Sequence, residues 1–283
     1  MIVCRTVADI RRTVAARQAR CTVGLVPTMG ALHDGHLSLI RASREQCDFT
    51  VVSIFVNPTQ FGPGEDFDRY PRNEPADLAA CTAAGVDAAF VPSVAEIYPA
   101  GPQTTVAVGG VGKVLCGRTR PGHFAGVATV VARLFDIVTP DKAFFGAKDY
   151  QQTVVIRRMV ADLNLPVQVV VCPTVREADG LAMSSRNAYL TPPQRRQASA
   201  LSQSLVLARD MIVRNHPPAA QVLAAMRDHL ARHAPDGRID YVAIVDPADL
   251  SDVPSTDRPV LIALAVEFGP TRLIDNLPVP PPD

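Results

Sequence analysis

Short apolar runs rich in β-branched and aromatic residues alternate with stretches of helical spacing from the start of the chain to about Glu177, the pattern of βαβ units and a parallel sheet. The runs predict strands at Thr22–Val26, Phe49–Val56, Ala88–Val91, Thr104–Val108, Lys142–Phe145 and Val167–Val171. His36–Cys47 reads as a helix. Phe124, Val127, Val131, Leu134, Phe135 and Val138 recur at three-and-four spacing, as do Ile156, Met159, Val160 and Leu163, so each set marks the core-facing stripe of a helix. The arginine-rich start contains Asp9 and no apolar run, which predicts a first amphipathic helix and not a secretory signal.

Beyond Glu177 the pattern changes. Thr191-Pro192-Pro193 opens a helix of good formers that reaches about Val213, with Thr suited to the N-cap and Pro to the first turn. A second helix is predicted over Ala219–Arg232, followed by strands near Ile239–Val245 and Val260–Val266 joined by a Pro/Asp/Ser loop. The predicted fold class is α/β: a Rossmann-like parallel-sheet domain over 1–176 and a smaller α+β C-terminal lid domain over 177–283. The proline-rich residues 278–283 are expected to fray.

Composition narrows the function. Of 283 residues, 47% are hydrophobic and 20% charged, and 28 Lys plus Arg balance 28 Asp plus Glu. A globular core is therefore expected, with no net positive field to draw nucleic acid or an acidic membrane. The longest apolar run, Val260–Val266, is far short of the ~20 residues that span a bilayer. The six cysteines form no C-x-x-C pair and no zinc set, so reduced thiols in a cytoplasmic protein acting on small molecules are expected.

Candidate chemistry begins where the first predicted strand runs into Pro27-Thr28-Met29-Gly30-Ala31-Leu32-His33-Asp34-Gly35-His36. In an open α/β sheet ligands bind beyond the carboxyl ends of the strands, where a helix N-terminus offers free N–H groups to a phosphate. Gly30 and Gly35 permit close approach, and His33 and His36 fall on one face of the helix entrance; alone, the pair serves equally well as capping histidines. Lys148-Asp149 follows another predicted strand and suits a phosphate and a ribose hydroxyl, or a surface ion pair opening a helix. Ser184, Ser185 and Arg186 supply two hydroxyls and a guanidinium after an Asp179-Gly180 turn, a set suited to a polyphosphate, although taken alone such a string is more often a solvated turn. Gly109-Gly110-Val111-Gly112-Lys113-Val114 is not a phosphate loop, since Ala107 stands at the first required glycine and Val114 at the Ser/Thr.

The string P-T-M-G-A-L-H-x-G-H resembles the signature of the pantothenate synthetase (pantoate–β-alanine ligase) family, in the HxGH nucleotidylyltransferase superfamily. The resemblance continues in family order through Phe55-Val56-Asn57-Pro58-Thr59-Gln60-Phe61, Arg69-Tyr70-Pro71-Arg72, Gly122-His123-Phe124-Ala125-Gly126-Val127, Phe144 to Gln152, Arg176 to Asn187, and Thr271 to Asn276. It implies ATP- and magnesium-dependent joining of pantoate to β-alanine through a pantoyl adenylate, with AMP and pyrophosphate released, by a homodimer.

Carried onto this sequence, the resemblance implies that His36, His33, Lys148 and Arg186 are catalytic. It implies an ATP site made of Met29, Gly30, Ala31, Leu32, His33, Asp34, Gly35, His36, Gly146, Ala147, Lys148, Asp149, Val175, Met183, Ser184, Ser185 and Arg186. Ala147 departs from the acidic residue usual there and removes one charge near the nucleotide. Gln60 and Gln152 resemble the pantoate-binding glutamines, whose amides can both donate to and accept from a hydroxy acid. Arg120 and His123 are expected to add phosphate contacts or, for His123, a helix cap, and Asp77 is the expected magnesium ligand. Two competing readings remain: transfer of AMP onto a phosphate, and a nucleotide binder without catalysis.

Overall fold

A computed structural model describes residues 1–18, 21–101 and 103–281. The chain separates into two compact units, one of residues 1–113, 117–147 and 151–173, the other of residues 114–116, 148–150 and 174–283.

The first unit opens with β1 (Ile2–Cys4), α1 (Val7–Gln18), β2 (Val23–Thr28), α2 (Asp34–Gln46) and β3 (Phe49–Ile54). A 3₁₀ turn at Pro58–Gln60 leads to α3 (Glu74–Ala83), β4 (Ala88–Phe90), α4 (Val94–Ile97), the short α5 (Cys116–Thr119), whose first residue belongs to the second unit, and α6 (His123–Val138). Then come β5 (Lys142–Gly146), α7 (Tyr150–Asp162) and β6 (Gln168–Cys172). The six strands form one all-parallel sheet in the order β1-β4-β3-β2-β5-β6. Its helices and its parallel order are those of the predicted Rossmann-like domain. The order reverses between β2 and β5, so their carboxyl ends flank the switch point at which such sheets bind ligands. All six residues of β3 are buried, as expected of a strand covered on both faces. Val26, Val52, Ile54 and Phe144 from the sheet pack with Leu39 and Ile40 of α2 and Cys81 of α3.

The second unit holds α8 (Pro192–Asn215), α9 (Ala219–His233) and the antiparallel sheet β7 (Gly237–Val245), β8 (Val260–Phe268) and β9 (Thr271–Val279). Thr191 caps α8 as predicted: its hydroxyl accepts from Gln194 N–H, and Gln194 Oε1 accepts from Thr191 N–H at 3.0 Å. Leu201, Leu205 and Ile212 of α8 and Val222, Met226 and Leu230 of α9 bury their stripes on Ile262, Leu264 and Val266 of β8.

Three expectations need correction. Residues 104–108 form no strand: Val106 N–H donates to Thr129 Oγ1 at 2.9 Å, and that hydroxyl donates back to Val106 C=O at 3.3 Å, so a side chain replaces the ladder. A third strand, β9, closes the C-terminal sheet and takes in Pro278 and Val279, two residues of the segment expected to fray. Pro282 and Asp283, also assigned to that tail, lie outside the described residues. The edge strand β1 and the helix α3 go beyond the elements predicted; α3 starts at Asn73, whose Oδ1 accepts from Ala76 N–H at 3.2 Å.

Candidate active site

The loop after β2 is held from beneath. Gly30 and Ala31 both take left-handed backbone conformations, with φ of 82° and 50°. At Ala31 that conformation costs about 1 kcal/mol, and a side chain at Gly30 would come within 2.9 Å of Asp77 Oδ2. Asp77, only 4% exposed, accepts from Ala31 N–H at 3.0 Å and from Leu32 N–H at 2.8 Å, so two charge-assisted bonds fix the shape.

This loop delivers the chain to α2 with His33 as N-cap in extended backbone. His33 Nδ1 accepts from Gly35 N–H at 3.2 Å, and His36 Nδ1 accepts from His33 N–H at 3.3 Å, a reciprocal capping box made of two imidazoles. Their ring centroids lie 4.1 Å apart. A neutral imidazole that accepts at Nδ1 carries its proton on Nε2. Capping and ligand donation are therefore compatible, because each role uses a different nitrogen.

Gln60 ends the 3₁₀ turn after β3 and is 9% exposed. Its Oε1 accepts from Asn57 Nδ2 at 3.1 Å, which turns Nε2 toward Met29 Sδ at 3.0 Å, in the histidine loop. Asn57 organises this corner. Only 1% exposed, it also donates to Gly126 C=O at 3.1 Å, while its Oδ1 accepts from Thr59 and from Tyr98 Oη. Gly126 is required there, since a Cβ would lie 2.3 Å from Thr59 O. Sequence reading quoted Asn57 only within a motif; the signal available was an Asx cap before Pro58, with Asn57 Oδ1 accepting from Thr59 N–H at 3.3 Å. Gln152, half-buried, lies in the first turn of α7.

His123 does not cap α6, and Arg120 is anchored on an acidic partner. Arg120 donates to both Glu65 oxygens, at 2.8 and 2.5 Å, and His123 sends its ring to the Gln60 carbonyl at 2.8 Å instead of capping α6. Burial works to raise the Glu65 pKa, but the Arg120 bonds outweigh it and hold the carboxyl below its ordinary range.

In the second unit, Lys148 and Asp149 sit in a 3₁₀ turn after β5 with Nζ 3.7 Å from Oδ1, and Asn276 Nδ2 of β9 donates to Lys148 C=O at 2.8 Å. Residues 175–183 form a small hairpin: Met183 N–H donates to Val175 C=O and Glu177 N–H to Leu181 C=O, with Gly180 at φ 89° in the predicted turn. Arg176 clamps this hairpin to β9, donating to Gly180 C=O and to both oxygens of Asp275, at 2.6 and 3.0 Å. Ser184 Oγ accepts from Arg186 N–H at 3.2 Å and opens the 3₁₀ turn Ser185–Tyr189. Asn187 ties that turn to Glu177 at 2.7 Å, and Arg195 bonds Glu177 and Asp179, holding the Asp179 carboxyl below its usual range.

The donors do not fit a magnesium ion held by the chain. Asp77, the expected ligand, directs its two oxygens at backbone N–H groups, and among the described residues no three His, Cys, Asp or Glu side chains gather to hold a metal.

The pantoate–β-alanine ligase family model matches residues 2–278. The chain belongs to the pantoate–β-alanine ligase family. Among relatives, the pantothenate synthetase of Moorella thermoacetica is 57% identical over 274 residues, 96% of each chain, and that of Acetivibrio thermocellus 51% over 278 residues, 98% of this chain and 99% of its own. The crystal structure of pantothenate synthetase from Thermus thermophilus aligns with a TM-score of 0.94 at 48% identity, covering 99% of this chain and all of that one. A pantoate–β-alanine ligase from Francisella tularensis, complexed with β,γ ATP and β-alanine, aligns at 0.81 and 32% identity, covering 98% and 97%. The ligase family thus spans both units. Among the described residues no helix is long and apolar enough to cross a membrane.

Proposed function

We propose that this chain joins pantoate to β-alanine using ATP, giving pantothenate, AMP and pyrophosphate through a pantoyl adenylate. The observation that carries the reading is the histidine pair at the entrance of α2: both Nδ1 atoms accept backbone N–H groups, which puts the proton of each neutral ring on Nε2, a donor of the kind a phosphate takes. A pair of preorganised neutral donors suits a phosphate on which negative charge grows.

In the first step a pantoate carboxylate oxygen attacks the α-phosphorus and pyrophosphate leaves. His33 and His36, with the N–H groups of the 29–36 loop, stabilise the charge on the α-phosphate oxygens, a contribution of ~10²–10³ in rate per donor. Gln60 and Gln152 hold the pantoate. Lys148 meets the phosphates, Asp149 with Gly146 and Ala147 the nucleoside side, and Ser184, Ser185 and Arg186, carried by the hairpin of Val175 and Met183, the leaving pyrophosphate. In the second step the β-alanine amine attacks the acyl carbon, the bond to AMP breaks, and the amine proton goes to solvent. Magnesium bound with ATP would offset the charge of its phosphates, and Asp77 stays with the loop. We place the enzyme in the cytoplasm as a homodimer, for which sedimentation is the check.

The test is AMP release from ATP and magnesium with pantoate, with β-alanine, and with both. Steady AMP formation only when both are present supports the ligase. ATP binding without turnover, or steady AMP formation with neither, overturns it.

A further inference from the structure

Gln60 is held at two places, and only one of them is its side chain. Its main-chain carbonyl accepts from His123 Nδ1 at 2.8 Å and from Arg120 Nη2 at 3.3 Å. The tautomer follows from the partners. A carbonyl only accepts, so the His123 proton facing it is on Nδ1; a guanidinium only donates, so Nε2, 3.1 Å from Arg120 Nη1, is an acceptor. Arg120 is in turn fixed by both oxygens of Glu65, at 16% exposure of its own side chain. A planar five-donor group thus spans a carboxylate, an imidazole and a carbonyl.

We propose that Glu65, Arg120 and His123 are positioning residues for the pantoate pocket. They orient the 3₁₀ turn so that the Gln60 amide presents its Nε2–H to the substrate. The proposal rests on Gln60 binding pantoate. His123 contacts no substrate in this scheme, and the bond that bears on the pocket is its N–H on the Gln60 carbonyl.

The scheme makes an unusual demand on substitutions. An Asn amide nitrogen falls where His Nδ1 stands, whereas a Gln amide nitrogen falls where Nε2 stands. His123→Asn therefore keeps the bond to Gln60 and His123→Gln loses it, although the two differ by one methylene. The purified full chain is assayed as both variants, with Arg120→Lys and Gln60→Ala beside them, measuring KM for pantoate, KM for ATP and kcat. The expected result is a rise in pantoate KM of about tenfold or more for His123→Gln and Arg120→Lys, with ATP KM within about twofold, and near-parental pantoate KM for His123→Asn. Equal behaviour of the Asn and Gln variants, or parallel rises in both KM values, overturns the positioning role. Gln60→Ala separates the two failures. If it leaves pantoate KM unchanged, the assignment of Gln60 falls; if it raises pantoate KM while the His123 variants do not, only the relay falls.

Discussion

Replacing Asp77 by Asn separates a loop clamp from a metal ligand. The side chain keeps its volume and one acceptor, but an NH₂ now faces one of the two N–H groups that the carboxylate holds at 3.0 and 2.8 Å. One charge-assisted bond is lost and one N–H in a nearly closed site goes unpaired, together about 2–4 kcal/mol. For a unit of this size that lowers the melting midpoint by about 5–15 °C. The loop also holds Ala31 in its left-handed conformation and sets the start of α2, so the histidine pair shifts with it. A misplacement of about 1 Å costs on the order of 10² in rate, and kcat/KM should fall by at least tenfold. Differential scanning fluorimetry and a magnesium titration at saturating ATP and pantoate read the two quantities. The clamp predicts a lower midpoint with half-saturating magnesium within about twofold of the parent. An unchanged midpoint with a magnesium requirement raised tenfold refutes it.

Four further outcomes follow from the same geometry. His36→Ala should slow single-turnover adenylation at least ~10²-fold while ATP binding by calorimetry stays comparatively intact. Lys148→Ala should weaken ATP far more than pantoate and Gln152→Ala the reverse; equal loss of both ligands in both variants would reduce them to folding residues. Arg176→Met leaves Asp275, whose side chain is 1% exposed, as a buried carboxylate without its ion-pair partner. That costs about 3–5 kcal/mol in denaturant unfolding, and adding Asp275→Leu should recover much of it. Burial, with Asp77 nearby, pushes the Cys81 thiol up to about 11, so it stays protonated below that pH; native alkylation should spare it at pH 8 and accelerate as pH rises toward 11.

The elements that local pattern defines were legible. The stripe at Phe124 to Val138 became α6, and Thr191 with Gln194 became a capping box, because both depend on residues three or four apart. What failed depends on partners distant in sequence. Residues 104–108 have strand-like residues but no neighbouring strand, and β9 hid behind Pro278. In the site, the placement of His33 and His36 at a helix entrance was readable, but their Nδ1 bonds were not, since a capping histidine and a donor histidine look alike in one dimension. The work of Asp77 spans 46 residues of chain to Ala31, and that of Arg120 spans 55 to Glu65, so no spacing rule announces either.

The last strand also governs how the protein behaves in crowded solution. β9 is an outer strand of the C-terminal sheet, with Pro278 opposite Leu261 and Pro280 and Pro281 immediately after it. An outer strand is an open invitation to a foreign strand, and proline withdraws it by removing the amide that an incomer would need. Pro278, Pro280 and Pro281 serve as a selvedge: they stop the sheet from growing into its neighbours, and replacing them should show first as turbidity at high concentration and not as lost turnover.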